Sequence, residues 1–184
     1  MDLLMAIETR ASALKLGEPG PDAKDLERIL KAAARAPDHG KLAPWRFLIL
    51  EGAGRHVLGE AMAAAKRSKS PQATEPDLDM EREKALRAPL IIVASARITD
   101  RGDKIPAIEQ IVAVGAAIEN MILASNMLGY GTMWKTGPAA YDPGVKAALG
   151  LDAAEEIVGF VYIGTTVTPG KPRAPELDGI VRRL

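Results

Sequence analysis

Three features of this 184-residue sequence predict a single-domain α+β fold. Helical and strand-like segments are mixed, but without the regular βαβα alternation that a doubly wound parallel sheet requires. The stretch "LIIVASAR" at 90–97 is apolar almost throughout, as expected of a strand covered on both faces. Residues 106–129 read as one long helix that is hydrophobic round most of its circumference, and such a helix needs cover on most sides. The chain shows no internal repeat and no linker, so residues 1–184 are taken as one domain.

The elements follow in order. Residues 2–10 form a short helix with Asp2 as cap and Leu3, Leu4 and Ile7 on one side, broken by "LGEPGP". Asp22 caps a helix over 23–36, where Leu26, Ile29, Leu30, Ala33 and Ala34 make the apolar stripe and Pro37 ends it. A strand at 45–52, a helix at 54–67, a polar loop at 68–76 and a charged helix at 77–88 precede the buried strand. In the long helix, Pro106 stands at the first turn and Gly129 after the last. Ile108, Ile111, Val112, Val114, Ala117, Ile118, Met121, Ile122 and Leu128 cover most of its sides, and a second copy of the chain is the simplest way to cover them. The segment "YGTMWKTG" at 130–137, a short helix at 142–150, a strand at 156–165 and a proline-rich extended arm from 166 complete the chain.

Composition excludes several classes. Twenty-four basic residues balance 24 acidic ones, so neither a nucleic acid nor an anionic membrane has global electrostatic support as a partner. Absence of cysteine removes disulfides, thiolate metal sites and cysteine nucleophiles. The apolar run near 111–128 is interrupted by Glu119, Asn120 and Asn126, which argues against a membrane span, and the N-terminus lacks a signal-peptide pattern. The cytoplasm is the expected location. There is no phosphate-binding P-loop, "GYG" at 129–131 lacks the third glycine of a dinucleotide fingerprint, and no G-x-S-x-G elbow occurs. His39 and His56 are not at metal-ligand spacing. With so little acid–base machinery, a cofactor is expected to carry the reaction.

Three stretches hold the remaining polar chemistry. Arg10 and Ser12 in "TRAS" suit a phosphate, though Arg10 could merely complement a helix dipole. The loop "RAPDHGKLAPW" concentrates Arg35, Asp38, His39 and Lys41 before Trp45; the tripeptide recurs at 87–89, so Arg-Ala-Pro can also be only a helix stop. In "GTMWKTG", Trp134 alternates with Thr132 and Thr136, so these could equally be ordinary strand residues.

In this order the three stretches, followed by "IVGFVYIGT", resemble the FMN-dependent nitroreductases, and most closely their minimal YdjA-like bacterial branch. The resemblance covers essentially the whole chain. It implies a sandwich with a central mixed sheet flanked by helices, forming an intertwined homodimer with FMN in two interface clefts. It implies that Arg10, Ala11 and Ser12 lie at the phosphate and ribityl end of FMN. Arg35 and His39 would reach the same flavin from the partner subunit, with Trp134, Lys135, Thr136 and Gly137 along the ring. NAD(P)H would reduce the flavin and a nitroaromatic or quinone-type acceptor would reoxidise it, in alternating half-reactions, with no catalytic side chain required. Lys135 is the candidate cation for the N1 end of the ring, and Lys171 and Arg173 are a second possible source of phosphate charge. The pattern departs from many relatives at Ala11 (arginine), Ala43 (glutamine) and Lys15 (often arginine).

Overall fold

The computed structural model describes residues 2–184. Its centre is the 14-residue strand β5 (Glu155–Thr168). One edge of β5 pairs with β3 (Leu90–Arg97), which in turn pairs with β2 (Trp45–Glu51). The other edge takes β4 (Gly131–Lys135) and then, at Thr165–Thr168, the three-residue β1 (Lys15–Gly17). Every pairing is antiparallel, so within one chain the sheet is not the mixed one expected.

Strand side chains alternate between two faces and each face has its own core. Ile91, Val93, Phe160 and Tyr162 join Leu58 and Met62 of α3 (Ala53–Lys69) and Val145 of α6 (Pro143–Ala148). Leu90, Ile92, Val161 and Ile163 pack on the opposite face against Ile29 of α2 (Ala23–Ala33) and Val114, Ile118 and Met121 of α5 (Ala107–Met127). The result is an α+β sandwich of helix, sheet and helix layers. β3 is buried from Leu90 to Ala96, as its apolar sequence predicts.

Helix α5 carries the long apolar run as expected but is covered on only part of its circumference. Ile108 and Val112 are each 62% exposed, and Gly115, Glu119 and Leu123 continue that side half-buried. By length and hydropathy alone Gly102–Met127 would suffice to cross a membrane; here Val114, Ala117, Ile118, Met121 and Ile122 pack on the sheet and on α2. The apolar side of α1 (Leu3–Thr9) is likewise open, with only Ala6 buried.

Boundaries move where local hydrogen bonding outweighs composition. The expected loop at 68–76 shrinks because α3 continues to Lys69 and α4 begins at Glu75 (Glu75–Lys84). A capping box explains that start: the Asp77 carboxylate accepts from the Thr74 backbone N–H at 2.9 Å, holding the first turn. α2 stops at Ala33 rather than 36. β5 takes three residues of the expected arm, which begins at Pro169 and is exposed from Lys171 onward. β1 is too short to show a period in sequence.

Asp142 ties α6 to α3. Its carboxylate caps α6, accepting from the Gly144 and Val145 N–H groups at 2.9 and 3.2 Å, and pairs with Lys69 Nζ at 2.8 Å. The Lys69 ammonium, helped by those N–H groups and opposed by burial, holds the carboxyl below its ordinary pKa. A depressed folded pKa contributes stability above the unfolded value of about 3.9 and loses it as pH falls through the folded one. Asp142→Asn, which keeps a capping oxygen but no charge, should cost about 1 kcal/mol at pH 7, given that Lys69 is half exposed. In urea titrations the gap between variant and wild type should close at pH values below the folded pKa.

Candidate functional site

The first stretch is laid along the sheet by backbone hydrogen bonds. After Arg10 closes α1, the chain runs extended: Ala13 N–H donates to Thr132 O and Leu14 N–H to Thr168 O, both at 2.9 Å. These bonds set Arg10–Ser12 beside β4 and the end of β5. A cavity of about 260 Å³ opens there, lined by Arg10, Ala11, Asn126, Tyr130, Thr166 and Gly170. Arg10 is half exposed, and its one ionic partner among the described residues is Glu119 of α5, 3.5 Å from Nε. A guanidinium has five N–H donors, so most of its capacity is free.

β4 leads from that cavity towards the third stretch. Trp134 is 39% exposed and covers Gly159 on the neighbouring strand. A Cβ at Gly159 would lie 2.0 Å from the Trp134 indole nitrogen, so glycine is what lets the ring sit there. β4 ends at Lys135, leaving Thr136 and Gly137 in the turn to α6; Gly137 has φ 73°, a conformation that suits glycine.

Lys135, Thr136 and Gly137 border a second cavity, of about 380 Å³, between that turn and α3. Tyr162 lines it and is 2% exposed, and its hydroxyl has no hydrogen bond among the described residues. Burial pushes the phenol up to about 12 against the pull of the Arg87 guanidinium, so it is a neutral donor at ordinary pH.

The middle stretch lies apart. His39 Nδ1 is 2.6 Å from Glu109 at the start of α5, and His39 lines a shallow hollow on that helix's open side with Ile108 and Val112. The loop is strained, with φ 73°, 54° and 45° at Gly40, Lys41 and Ala43, the last two being unusual for residues with a Cβ. Asp38 restrains it by accepting from Ala43 N–H at 2.9 Å. Arg35 is exposed just past α2 and borders none of these cavities. One chain thus brings Arg10, Ala11 and Ser12 together with the strand bearing Trp134, Lys135, Thr136 and Gly137, and leaves Arg35 and His39 elsewhere.

A nitroreductase family model matches residues 7–165, most of the chain and all three stretches. The chain belongs to the nitroreductase family. It is 38% identical over 170 residues to the Escherichia coli K12 protein named "Putative NAD(P)H nitroreductase YdjA", a match covering 90% of this chain and 88% of that one. Its fold is similar to that of a Bacillus cereus nitroreductase-like family protein, with a TM-score of 0.84, 24% identity and coverage of 100% and 96%. It is also similar to a Bacteroides fragilis nitroreductase with bound FMN, with a TM-score of 0.78, 22% identity and coverage of 100% and 99%.

Sequence reasoning missed the carboxylates Glu109 and Glu119, which pair with the candidates His39 and Arg10, and the pair Tyr162 and Arg87 that line the second cavity. Two acids on an apolar helix were a usable signal for the first pair. Nothing in the strand sequence showed which face Tyr162 would take.

Gly159→Ala should displace the Trp134 indole and shift its fluorescence. In a Trp45→Phe background Trp134 is the only tryptophan, so an unchanged spectrum on selective tryptophan excitation there would refute the close packing.

Proposed function

We propose that this nitroreductase-family protein is an FMN-dependent oxidoreductase that takes electrons from NAD(P)H and passes them to nitroaromatic or quinone-type acceptors in alternating half-reactions. The observation that carries this reading is the placement of Arg10–Ser12 beside β4, next to a cavity where Arg10 has donors to spare. The donor set fits FMN: a guanidinium and a hydroxyl for a phosphate, and an exposed indole and a glycine turn for a planar ring. FMN supplies the redox chemistry, accepting a hydride and returning electrons to a second substrate. The chain's part is to bind and orient. Arg10 and Ser12 hold the phosphate end, Trp134–Gly137 flank the ring, and Lys135 offers positive charge where reduction adds negative charge. Lys171 and Arg173 are further phosphate cations on the exposed arm.

The site is read as shared in a homodimer. Glu109 and Glu119, which hold His39 and Arg10, lie ten residues apart on α5, about 15 Å along a helix axis. Two α5 helices packed antiparallel about a two-fold axis near Gly115 would set the partner's His39 beside Arg10 of the first chain. Gly115 supports that contact. A glycine inside a helix costs about 1 kcal/mol, yet a Cβ here would meet nothing of its own chain within 4 Å. Close approach of a second helix gives the glycine a purpose.

Purified protein should be yellow, and NAD(P)H should bleach it anaerobically. Arg10→Ala should weaken FMN binding roughly tenfold or more by fluorescence titration; unchanged affinity would remove Arg10 from the site. Co-expressed Arg10→Ala and His39→Ala chains should regain about half of wild-type activity in the mixed dimer, since one cleft is then intact. A folded but dead mixed dimer would sink the sharing.

Gly115→Leu should give a monomer with weak FMN retention by light scattering and absorbance. A dimeric, yellow Gly115→Leu protein would place the interface elsewhere.

A further inference from the structure

We propose that the cavity between α3 and the turn after β4 receives the anionic end of the acceptor, a planar aromatic bearing a carboxylate or similar anion. This rests on the flavin reading above and gives it a substrate class.

Charge is concentrated here in a chain that is neutral as a whole. Five cations line the cavity (Lys66, Lys69, Lys84, Arg87 and Lys135) against one acid, Glu81. Two of the five are already neutralised: Lys84 pairs with Glu81 at 2.6 Å and Lys69 with Asp142 at 2.8 Å. Lys66, Arg87 and Lys135 have no ion-pair partner among the described residues. Cations held close together repel one another, and a bound anion relieves that repulsion.

Tyr162 adds a neutral hydrogen-bond donor beside the charges. The residue is only 2% exposed, yet its hydroxyl makes no hydrogen bond among the described residues and is not a buried orphan, so its donor opens onto the cavity and is free for a ligand. A carboxylate oxygen in the cavity would accept from it. Met62, Ala65 and Phe160 supply an apolar floor for a ring face. A volume of about 380 Å³ lies in the range of small-molecule sites. Lys135–Gly137 border both this cavity and the proposed flavin ring, so an aromatic held here lies next to the centre that reduces it.

The same cations could instead hold a phosphate of the nicotinamide dinucleotide, and the test separates the two. FMN-loaded protein is titrated calorimetrically with p-nitrobenzoate and with its neutral analogue p-nitrobenzamide, without nucleotide. Steady-state kcat/KM for both acceptors and the anaerobic rate of flavin bleaching by NADH and NADPH are measured alongside. Wild type should bind the benzoate roughly tenfold more tightly, with the preference falling as salt rises. Lys66→Gln/Arg87→Gln should remove most of that preference in both affinity and kcat/KM, and Tyr162→Phe part of it, while the bleaching rates stay unchanged. Equal affinity for benzoate and benzamide in a yellow, reducible protein would overturn the proposal and leave the flavin reading intact. Slower bleaching in Lys66→Gln/Arg87→Gln with the benzoate preference kept would assign the cavity to the dinucleotide and overturn it too. A protein that retains no FMN would overturn the function itself, and the acceptor role with it.

Discussion

Strand β5 is paired along both edges, and most of the molecule depends on that pairing. β3 occupies one side, while β4 and β1 share the other end to end. A strand in this position has its backbone groups satisfied by neighbours, so both faces can be given to apolar side chains. Phe160 and Tyr162 go to one core and Val161 and Ile163 to the other. The ribbon also carries the candidate site. β4 pairs with it, and Ala13 and Leu14, directly after Arg10–Ser12, are hydrogen-bonded to β4 and β5, which fixes the relative position of these segments far better than a free loop could. Cofactor contacts need such rigidity, because small displacements weaken charge-assisted hydrogen bonds.

α5 stands in the opposite situation. Its inner side is buried by sheet and α2, while Ile108, Val112 and Gly115 remain uncovered by their own chain. The two acids of that helix which pair with Arg10 and His39, Glu119 and Glu109, lie beside this open strip rather than on the buried side. Two requirements therefore meet on one surface: apolar area that favours association, and charges that orient His39 and Arg10. The strained loop at Gly40–Ala43 fits this arrangement. It stores unfavourable backbone conformations next to an open surface, where a restraint from Asp38 keeps His39 in place.

Electrostatics divides the two sheet faces as well. On the α5 side, Arg10 and His39 are each answered by a carboxylate, so that surface is close to neutral. On the α3 side, the cations around Tyr162 outnumber the acids and three lack partners among the described residues. The turn at Lys135–Gly137 borders this second region, so the proposed flavin ring would lie between a neutral surface and a basic one.

Much of this was legible in the sequence. The α+β class, the buried strand at 90–97, the long helix, the Asp22 cap and the three polar stretches follow from periodicity, turn chemistry and residue type, which act locally. Arg10, Ser12, His39 and Trp134 stood out because scarce or charged side chains occurred at element ends. Other features required the folded chain. The three residues of β1 form a strand only because β5 offers them an edge. The sheet is antiparallel within the chain because of how distant segments return to one another, which no local pattern encodes. Tyr162 faces a cavity and Val161 a core because strand parity is set by partners far away in sequence. The sequence anticipated an uncovered side of α5 and, through the family resemblance, a His39 apart from Arg10; the folded chain alone showed which residues line that side and which carboxylates hold the two cations. Local sequence determines which residues are candidates; the long-range packing of sheet and helices determines which of them meet.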